Sequence, residues 1–291
     1  MLSYLEASSR KVEAALKTFL PTLDEKASTL HRAMHYSLFA GGKRLRPALA
    51  FAAAEACGGN GSLAVPSACA VECVHTYSLI HDDLPCMDDD DLRRGCPTCH
   101  KVFGEAVAVL AGDALLTIAF QILCETPVSP RYPLRRQIRE LAVSAGSRWL
   151  IGGQVQDMEA EGKETSASLV RAIHLRKTAA MMRVALRLGA MAANAEPWEL
   201  RLLSRFGVAL GLAFQTIDDI LDVTQTQEKL GKSAGKDERA GKATLPGVLG
   251  LEVARRKAQE YTRKALDTLV PLGARGESLR SLTEFLLRRE F

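Results

Sequence analysis

Aromatic residues are scarce in this sequence, at 5% of 291 residues, whereas alanine and leucine are abundant. Runs of alternating β-branched residues are also absent. Because alanine and leucine favour helices while aromatic and β-branched residues favour strands, this composition predicts a helical protein. No low-complexity linker or short-period repeat divides the chain, so we expect one all-α domain over residues 1–291.

The charge is too small to suggest a nucleic-acid partner. The net charge of +4 is weak and scattered along the chain, which excludes a strong basic footprint. The most apolar run is interrupted by Gly112 and Asp113, so we expect no membrane-spanning segment. Residues 1–16 contain two glutamates and no apolar core region, so we expect no secretory or transit segment.

Cysteines do not form a disulfide pattern. There are seven of them, an odd number with irregular spacing, so we expect a reduced, cytoplasmic protein. Cys96 and Cys99, followed by His100, superficially resemble half of a zinc site. No second pair lies at zinc spacing, and no βαβ pattern surrounds the pair, so we predict packing roles for these cysteines.

Prolines and glycines divide the chain into helical runs. The predicted helices cover 46–57, a run from Pro66 into the aspartate stretch, 105–125, 134–160, 166–193, 197–223, 246–269 and 277–289.

A dense acidic stretch stands near the middle of the first half. Six aspartates occupy the ten positions from Asp82 to Asp91, and Arg93 and Arg94 follow. Neighbouring carboxylates disfavour one another's ionisation unless cations lie between them. Oxygen ligands of this kind suit magnesium, and the arginines suit diphosphate oxygens. Asp82 and Asp88 are six residues apart, so spacing alone does not bring them together on a helix; Pro85 between them indicates a kink or an end.

A second acidic cluster, DDILD, lies far along the chain at Asp218, Asp219 and Asp222. Asp218 and Asp222 are four residues apart and therefore share one face of a helix, with Gln215 on the same face. The surrounding residues are apolar, and buried carboxylates are costly unless a cation compensates them.

Cationic residues accompany these clusters. The string GGKRLRP places Lys43, Arg44 and Arg46 beside two glycines, a suitable cradle for an oxyanion, and Lys177 stands beside Thr178. Two acidic clusters with surplus cations imply a substrate that carries a diphosphate.

Six motifs in order resemble those of the trans-isoprenyl diphosphate synthases, and most of all the bacterial farnesyl diphosphate synthases. They are GGKRLRP, HDDLPCMDDDDLRRGCPTCH, GGQVQDM, LRKT, FQTIDDILD and GKSAGKDERAGKATLP, from about Leu38 to Pro246. The resemblance implies an all-α bundle around a deep central cavity, as a homodimer. It implies isopentenyl, dimethylallyl and geranyl diphosphates as substrates, and three magnesium ions with substrate bound.

The resemblance also assigns roles to residues. Metal ligands would be Asp82, Asp88 and Asp218. The isopentenyl diphosphate would be gripped by Lys43, Arg46, His75 and Arg94. The allylic diphosphate would be gripped by Arg93, Lys177 and Lys232, with Thr178 and Gln215 near the developing cation. The aspartates that complete the two motifs are Asp83, Asp219 and Asp222.

Product length is expected to depend on the residues just before the first aspartate motif. In the family that the chain resembles, bulky residues four and five positions upstream form the floor of the chain cavity. These positions hold Ser78 and Tyr77, and the motif contains two extra residues within LPCM. That combination resembles bacterial synthases that end elongation of the product at fifteen carbons. On a straight helix, however, Tyr77 lies about 140° round from Asp82, so ordinary core packing is an equal alternative.

Three other functions remain open. His81-Asp82 is an HD doublet of the kind that metal-dependent phosphohydrolases use, although the surplus of aspartates fits that scheme poorly. A non-catalytic regulatory subunit of a prenyl synthase would keep the fold, although such subunits tend to lose one aspartate motif. A ten- or twenty-carbon synthase would differ only in chain length.

Overall fold

The computed structural model describes residues 1–23, 28–224 and 242–287. In these ranges helices account for nearly all of the regular structure, which confirms the prediction of an all-α fold. The helices are α1 (Leu2–Phe19), α2 (Ser28–Phe39), α3 (Leu45–Ala56), α4 (Val65–Asp82), α5 (Cys99–Phe103), α6 (Glu105–Leu123), α7 (Leu134–Ala145), α8 (Leu150–Ala160), α9 (Ala167–Ile173), α10 (Ala180–Ala192), α11 (Pro197–Thr224), α12 (Leu245–Leu249), α13 (Leu251–Thr268) and α14 (Glu277–Leu287).

Short elements join some of these helices. A 3₁₀ turn (Gly61–Ala64) precedes α4, another (Val270–Gly276) precedes α14, and a π-helical segment (His174–Ala179) joins α9 to α10. The described residues also form one antiparallel hairpin, β1 (Leu92–Arg93) with β2 (Cys96–Pro97). The composition did not predict this hairpin, because two-residue strands are too short to leave a pattern in the sequence.

Four prolines stand in first helical turns, as predicted for Pro47, Pro66, Pro197 and Pro246. Pro66 is the second residue of α4, Pro197 is the first of α11 and Pro246 is the second of α12. A proline is tolerated there because the first N–H groups of a helix have no partner within the helix.

Two predicted helices are divided. The predicted 134–160 helix breaks between α7 and α8, where Trp149 has non-helical angles (φ −127°, ψ −104°). The predicted 246–269 helix breaks at Gly250, whose φ of +79° is incompatible with a right-handed helix. Neither break was predicted, because only the backbone angles mark it.

Helix α4 lies at the centre of the bundle. It packs against α1, α2, α3, α6 and α10, and most of its residues are buried. Beside it, α3 and α10 approach closely: a Cβ atom on Gly189 would lie 2.0 Å from the carbonyl oxygen of Ala50. The helix that begins the acidic stretch is therefore fixed on several sides. One continuous apolar cluster runs from Leu5 in α1 to Leu286 in α14.

Two helices would be long and apolar enough to cross a membrane, although the sequence predicted no such segment. Within the described ranges, residues 61–82 and Glu105–Leu123 pass this test by length and composition alone. The first is a core helix of the bundle, since 72% of its most apolar window is buried. For the second helix, 44% of the most apolar window is buried, and apolar residues such as Leu110 remain exposed on its surface.

Candidate active site

A cavity of about 430 Å³ lies among α4, α8, the π-helical segment and α11. It also receives residues from α3, from the β1–β2 hairpin and from 242–244. Its lining combines charged residues with an apolar part. The charged and polar lining residues are Arg46, His75, Ser78, Asp82, Asp88, Arg93, Arg94, Asp157, His174, Lys177, Thr178, Gln215, Asp218, Asp219, Lys242 and Thr244. The apolar ones are Leu79, Leu150, Ile173, Met181, Phe214 and Ala243.

The first acidic stretch folds back on itself at the end of α4. The helix ends at Asp82, three residues before Pro85. The N–H of Asp88 then donates to the carbonyl oxygen of Asp82 at 2.8 Å, and the N–H of Asp90 donates to that of Asp83 at 3.2 Å. This turn places Asp82 and Asp88 on the wall of the same cavity, which their spacing of six residues could not establish.

Asp83 points elsewhere. It is buried, it does not line the cavity, and its carboxylate accepts a hydrogen bond from Arg93 Nε at 3.0 Å. Asp90 accepts a second bond from Arg93 at 3.1 Å. Burial opposes the charge on Arg93, but the bonds to Asp83 outweigh it and raise the pKa of Arg93. The role of Asp83 in this structure is therefore to hold Arg93 at the cavity.

The second cluster enters the cavity from α11. Asp218, Asp219 and Gln215 all line it, whereas Asp222 is buried one turn further along and does not. Asp219 accepts bonds from Gln215 Nε2 at 3.2 Å and from the N–H of Leu245 at 3.0 Å. A carboxylate that accepts several hydrogen bonds is held in one orientation, and this one ties α11 to the start of α12.

A wide helical turn presents the lysine and the threonine. Residues His174–Ala179 form a π-helical segment, a rare geometry that often occurs at functional sites. Lys177 Nζ contacts Asp157 Oδ2 at 2.8 Å, and Thr178 Oγ1 donates to Gln215 Oε1 at 2.7 Å. These two contacts join the segment to α8 on one side and to α11 on the other.

The basic wall consists of Arg46, His75 and Arg94. Burial, followed by the charges of Arg46 and Arg94, lowers the pKa of His75 well below its ordinary value, so the imidazole is neutral at neutral pH. Burial also lowers the pKa of Arg46, to about 10, and its guanidinium remains charged. Lys43, by contrast, is exposed and does not line the cavity.

The acidic wall is electrostatically strained. Burial raises the pKa of Asp82 to about 6; Lys177 opposes the shift and Asp88 adds to it. For Lys177, burial works against the charge, but Asp82 and Asp157 outweigh it and raise its pKa. Lys242 Nζ lies 3.0 Å from Asp88 Oδ1. Cations therefore already stand beside the carboxylates.

The donor set fits magnesium only together with a ligand. Among residues 1–23, 28–224 and 242–287, no group of three or more His, Cys, Asp or Glu side chains converges closely enough to hold a metal ion alone. Magnesium is commonly bound by one or two carboxylates, with phosphate oxygens and waters completing its coordination. In the described lining, five carboxylates face five cationic side chains. Bound diphosphates would add negative charge that further cations must compensate.

Most of the predicted site residues meet in this one cavity. Those brought together are Arg46, His75, Ser78, Asp82, Asp88, Arg93, Arg94, Lys177, Thr178, Gln215, Asp218 and Asp219. Those not on its wall are Lys43, Tyr77, Asp83 and Asp222. Lys232 falls outside the described residues.

Four polar lining residues were not among the predicted site residues: Asp157, His174, Lys242 and Thr244. Asp157 stands in the GGQVQDM string, and Lys242 and Thr244 stand in the GKSAGKDERAGKATLP string. Their position within recognisable strings was the available signal. His174 Nε2 lies 3.2 Å from Asp219 Oδ2, a pairing that no local spacing indicates.

Comparison with known proteins identifies the family. Residues 27–270 match the polyprenyl synthetase family. The chain belongs to this family. It is 44% identical to the farnesyl diphosphate synthase of Geobacillus stearothermophilus over 290 residues, 99% of this chain and 97% of that protein. It is 48% identical to the heterodimeric geranylgeranyl pyrophosphate synthase large subunit 1, chloroplastic, of Arabidopsis thaliana over 275 residues, 92% of this chain and 74% of that protein.

A solved structure supports the same assignment. The geranyltransferase of Helicobacter pylori, complexed with magnesium and isoprenyl diphosphate, matches with a TM-score of 0.85 and 33% identity, over 99% of this chain and 96% of that one. The chain is a trans-prenyltransferase. Its relatives make products of different lengths, so the length of its own product is a separate question.

Replacing Asp82 tests the strain at the acidic wall. Because the pKa of this carboxyl rises from 3.8 to about 6, its ionisation costs stability above about pH 6, and this cost is absent below about pH 4. In metal-free protein, Asp82→Asn should therefore stabilise the fold by on the order of 2 kcal/mol at about pH 8, and hardly at all at about pH 4.

Urea unfolding in the presence of a chelator measures this difference at both pH values. Asp267→Asn, which changes an exposed carboxylate of α13, is the matched control and should have little effect at either pH. An Asp82→Asn variant that is less stable at high pH, or equally stabilised at both pH values, would contradict the assignment of strain to Asp82.

Proposed function

We propose that this protein is a farnesyl diphosphate synthase, which condenses isopentenyl diphosphate with dimethylallyl and then geranyl diphosphate. The observation that carries the proposal is the meeting of both aspartate motifs in one cavity that Arg46, His75 and Arg94 also line. Five cationic side chains among five carboxylates can receive two diphosphates at once. The reaction requires two such substrates.

The basic wall receives isopentenyl diphosphate. Arg46 and Arg94 supply guanidinium forks that match phosphate oxygens, and the neutral His75 adds a directed N–H. The part of the lining around the aspartate motifs receives the allylic diphosphate, with Arg93 held by Asp83 and Lys177 held by Asp157. Lys232 and Lys43 complete these two sets by resemblance to the family.

The aspartate carboxylates supply the kind of oxygen ligand that magnesium prefers. We propose three magnesium ions with substrate bound, ligated by Asp82, Asp88 and Asp218. When bound, these ions neutralise the departing diphosphate and so lower the barrier to ionisation of the allylic carbon–oxygen bond. The lysines and arginines of the same wall hold the diphosphate in line with that bond and stabilise its developing charge.

The remaining residues protect the allylic cation. Thr178 and Gln215, hydrogen-bonded to each other, place oxygen atoms at the cavity wall where they can stabilise positive charge. Leu79, Met181 and Phe214 line the apolar part and exclude water, which would otherwise capture the cation. The double bond of isopentenyl diphosphate then attacks, and the released diphosphate accepts the proton. No nucleophilic serine or cysteine takes part.

The purified chain tests this function directly. Incubated with dimethylallyl and isopentenyl diphosphates and magnesium, it should yield farnesol after dephosphorylation of the product. Asp218→Asn should lower kcat by about a hundredfold or more, because charge stabilisation in the transition state is lost. Asp267→Asn is the control, since that carboxylate is exposed on α13, away from the cavity.

The same experiment separates the alternatives. Geranylgeraniol as the main product would keep the transferase and move the assignment to a twenty-carbon synthase, a function favoured by the similarity to the geranylgeranyl pyrophosphate synthases. An inactive single chain that activates a partner synthase would indicate a regulatory subunit. Phosphate release from nucleotides without carbon–carbon bond formation would indicate a hydrolase.

Tyr77 is the proposed determinant of product length. Its ring is buried and packs edge-on against His81, with the ring centroids 5.7 Å apart, and Ser78 beside it lines the cavity. His81 in turn fills the space that Gly112 leaves open on α6, where a Cβ atom would lie 2.1 Å from its ring. We propose that Tyr77 blocks extension of the cavity between α4 and α6.

Removing the Tyr77 ring should lengthen the product. Tyr77→Ala opens a space behind Ser78, so the chain should add further five-carbon units before release. Gas chromatography of the dephosphorylated products measures this change. Tyr77→Phe removes only the hydroxyl and is the control, with unchanged product length. An unchanged fifteen-carbon product from Tyr77→Ala would remove Tyr77 from the mechanism.

We also propose that the chain is a homodimer, soluble and cytoplasmic. Two helices carry apolar side chains on exposed faces: Val109 and Leu110 on α6, and Ile151, Val155 and Met158 on α8. The α8 residues recur at helical spacing and thus form one stripe. Contiguous exposed apolar surface marks an interaction site in a soluble protein.

Sedimentation equilibrium should give a particle of twice the 31.6 kDa chain mass. Charge placed on the stripe, as in Val155→Glu, should shift the particle towards the monomer, because an unpaired charge at an interface core is costly. Glu159→Gln on the same helix is the control, since residue 159 is exposed but polar. A wild-type chain that sediments only as a monomer would contradict the proposal.

A further inference from the structure

Arg44 is a buried charge that the mechanism does not use. It stands between Lys43 and Arg46 in the GGKRLRP string, but it is only 2% exposed and does not line the cavity. Its backbone adopts the left-handed conformation, with φ 46° and ψ 41°. That conformation is uncommon for a residue with a side chain, and it persists only where surrounding contacts impose it.

Those contacts come from three directions. Arg44 Nη1 donates to Glu72 Oε1 at 2.8 Å, in a pair whose side chains are 0% and 1% exposed. Nη2 donates to the carbonyl oxygen of Leu38 at the end of α2, and also to Glu13 Oε1 of α1 at 3.3 Å. One planar guanidinium thus joins α1, α2 and α4 to the turn that begins α3. A lysine ammonium is a point charge and could not keep all of these directions at once.

The turn is also held from its other side. Arg94 Nη1 donates to the carbonyl oxygen of Gly41, and a Cβ atom on Gly42 would lie 2.5 Å from the guanidinium carbon of Arg94. Arg94 therefore rests against the glycines of the turn that Arg44 anchors. A shift of this turn would move Arg46, which lies two residues after Arg44. It would also break the contacts of Arg94 with Gly41 and Gly42.

Glu72 connects the anchor to the remaining residue of the basic wall. It lies on α4 three residues before His75, so the two side chains are about one turn apart on the same helix. The Arg44–Glu72 pair thus fixes the start of α3, which carries Arg46, against the helix that carries His75. It does so beneath the basic wall, and without contributing to that wall.

We propose that Arg44 and Glu72 form a positioning pair for the isopentenyl diphosphate half of the site. Arg44 touches no substrate; it holds the 41–46 turn so that Arg46, Arg94 and His75 converge on one diphosphate. This inference rests on the proposed prenyl transfer, in which two diphosphates bind in two halves of the site. Each half is held by residues of its own. The allylic half is supported by other pairs, Asp83 with Arg93 and Asp157 with Lys177.

Steady-state kinetics of Glu72→Gln and Arg44→Lys test this inference. Glu72→Gln keeps the shape of the partner and removes its charge, and Arg44→Lys keeps the charge and removes the fork. In both variants the KM for isopentenyl diphosphate should rise about tenfold or more, because small misplacements of binding groups are costly. The KM for geranyl diphosphate should stay within about twofold of the wild type, since its supports are unchanged.

A second readout omits isopentenyl diphosphate altogether. The slow magnesium-dependent hydrolysis of geranyl diphosphate reports ionisation at the allylic half, and it should be unchanged in both variants. The control is Arg187→Met, which breaks a partly buried two-bond pair with Glu140 (2.6 and 2.8 Å) away from the cavity. It should lower Tm without changing the ratio of the two KM values. Circular dichroism verifies that each variant is folded.

Three results would overturn the inference. A lower Tm with both KM values unchanged, as expected for Arg187→Met, would make the pair purely structural. Equal rises in both KM values, or a loss of geranyl diphosphate hydrolysis, would mean that the pair supports the whole site. A wild-type chain that forms no carbon–carbon bond would remove the proposed function, and this inference with it. That outcome is visible before any variant is measured.

Discussion

Like charges held close together in a partly dry cavity are the constraint on which the rest of this structure depends. Asp82 and Asp88 at the end of α4 face the same space as Asp218 and Asp219 of α11. Carboxylates in such a position are unfavourable without cations. The pKa of Asp82 is raised mainly by burial, and the nearby carboxylate of Asp88 raises it further. The fold accepts the cost because α4 and α11 are both extensively packed, so the carboxylates cannot move apart.

Carboxylates orient two cations of the cavity and one buried cation outside it. Asp83 holds Arg93, Asp157 holds Lys177, and Glu72 holds Arg44 beneath the basic wall. Groups that are oriented before the substrate arrives need little rearrangement as charge develops in the reaction. Asp83 and the Arg44–Glu72 pair lie outside the cavity lining and hold residues or turns that contribute to it, whereas Asp157 is itself part of the lining.

Much of this arrangement could be predicted from the sequence, and the failures have physical reasons. Composition predicted the helices, and the prolines predicted several of their starts. The order of the motifs, through its resemblance to the prenyl synthases, predicted that the two remote aspartate clusters lie in one cavity. Spacing did not show how Asp88 reaches Asp82, because that depends on a backbone hydrogen bond across the turn. It also did not separate Asp83 from Asp82: adjacent residues point in different directions at a helix end, and only the structure shows that Asp83 serves Arg93.

The breaks at Gly250 and near Trp149 were missed for a related reason. Both sequences read as continuous helices, and only the backbone angles interrupt them. The π-helical segment that presents Lys177 and Thr178 likewise leaves no periodicity in the sequence. Lys43 and Tyr77 show another limit of prediction from the sequence. Their positions in or beside the motifs suggest that they lie near the site, but neither lines the cavity.

The most direct test of the central claim is a crystal structure of the protein with manganese and inorganic diphosphate, recorded at the manganese absorption edge. Anomalous scattering should locate metal ions within about 2.3 Å of carboxylate oxygens of both Asp82 and Asp218, with the diphosphate between them. Metal at only one of the two clusters, or diphosphate bound elsewhere without metal, would contradict the account.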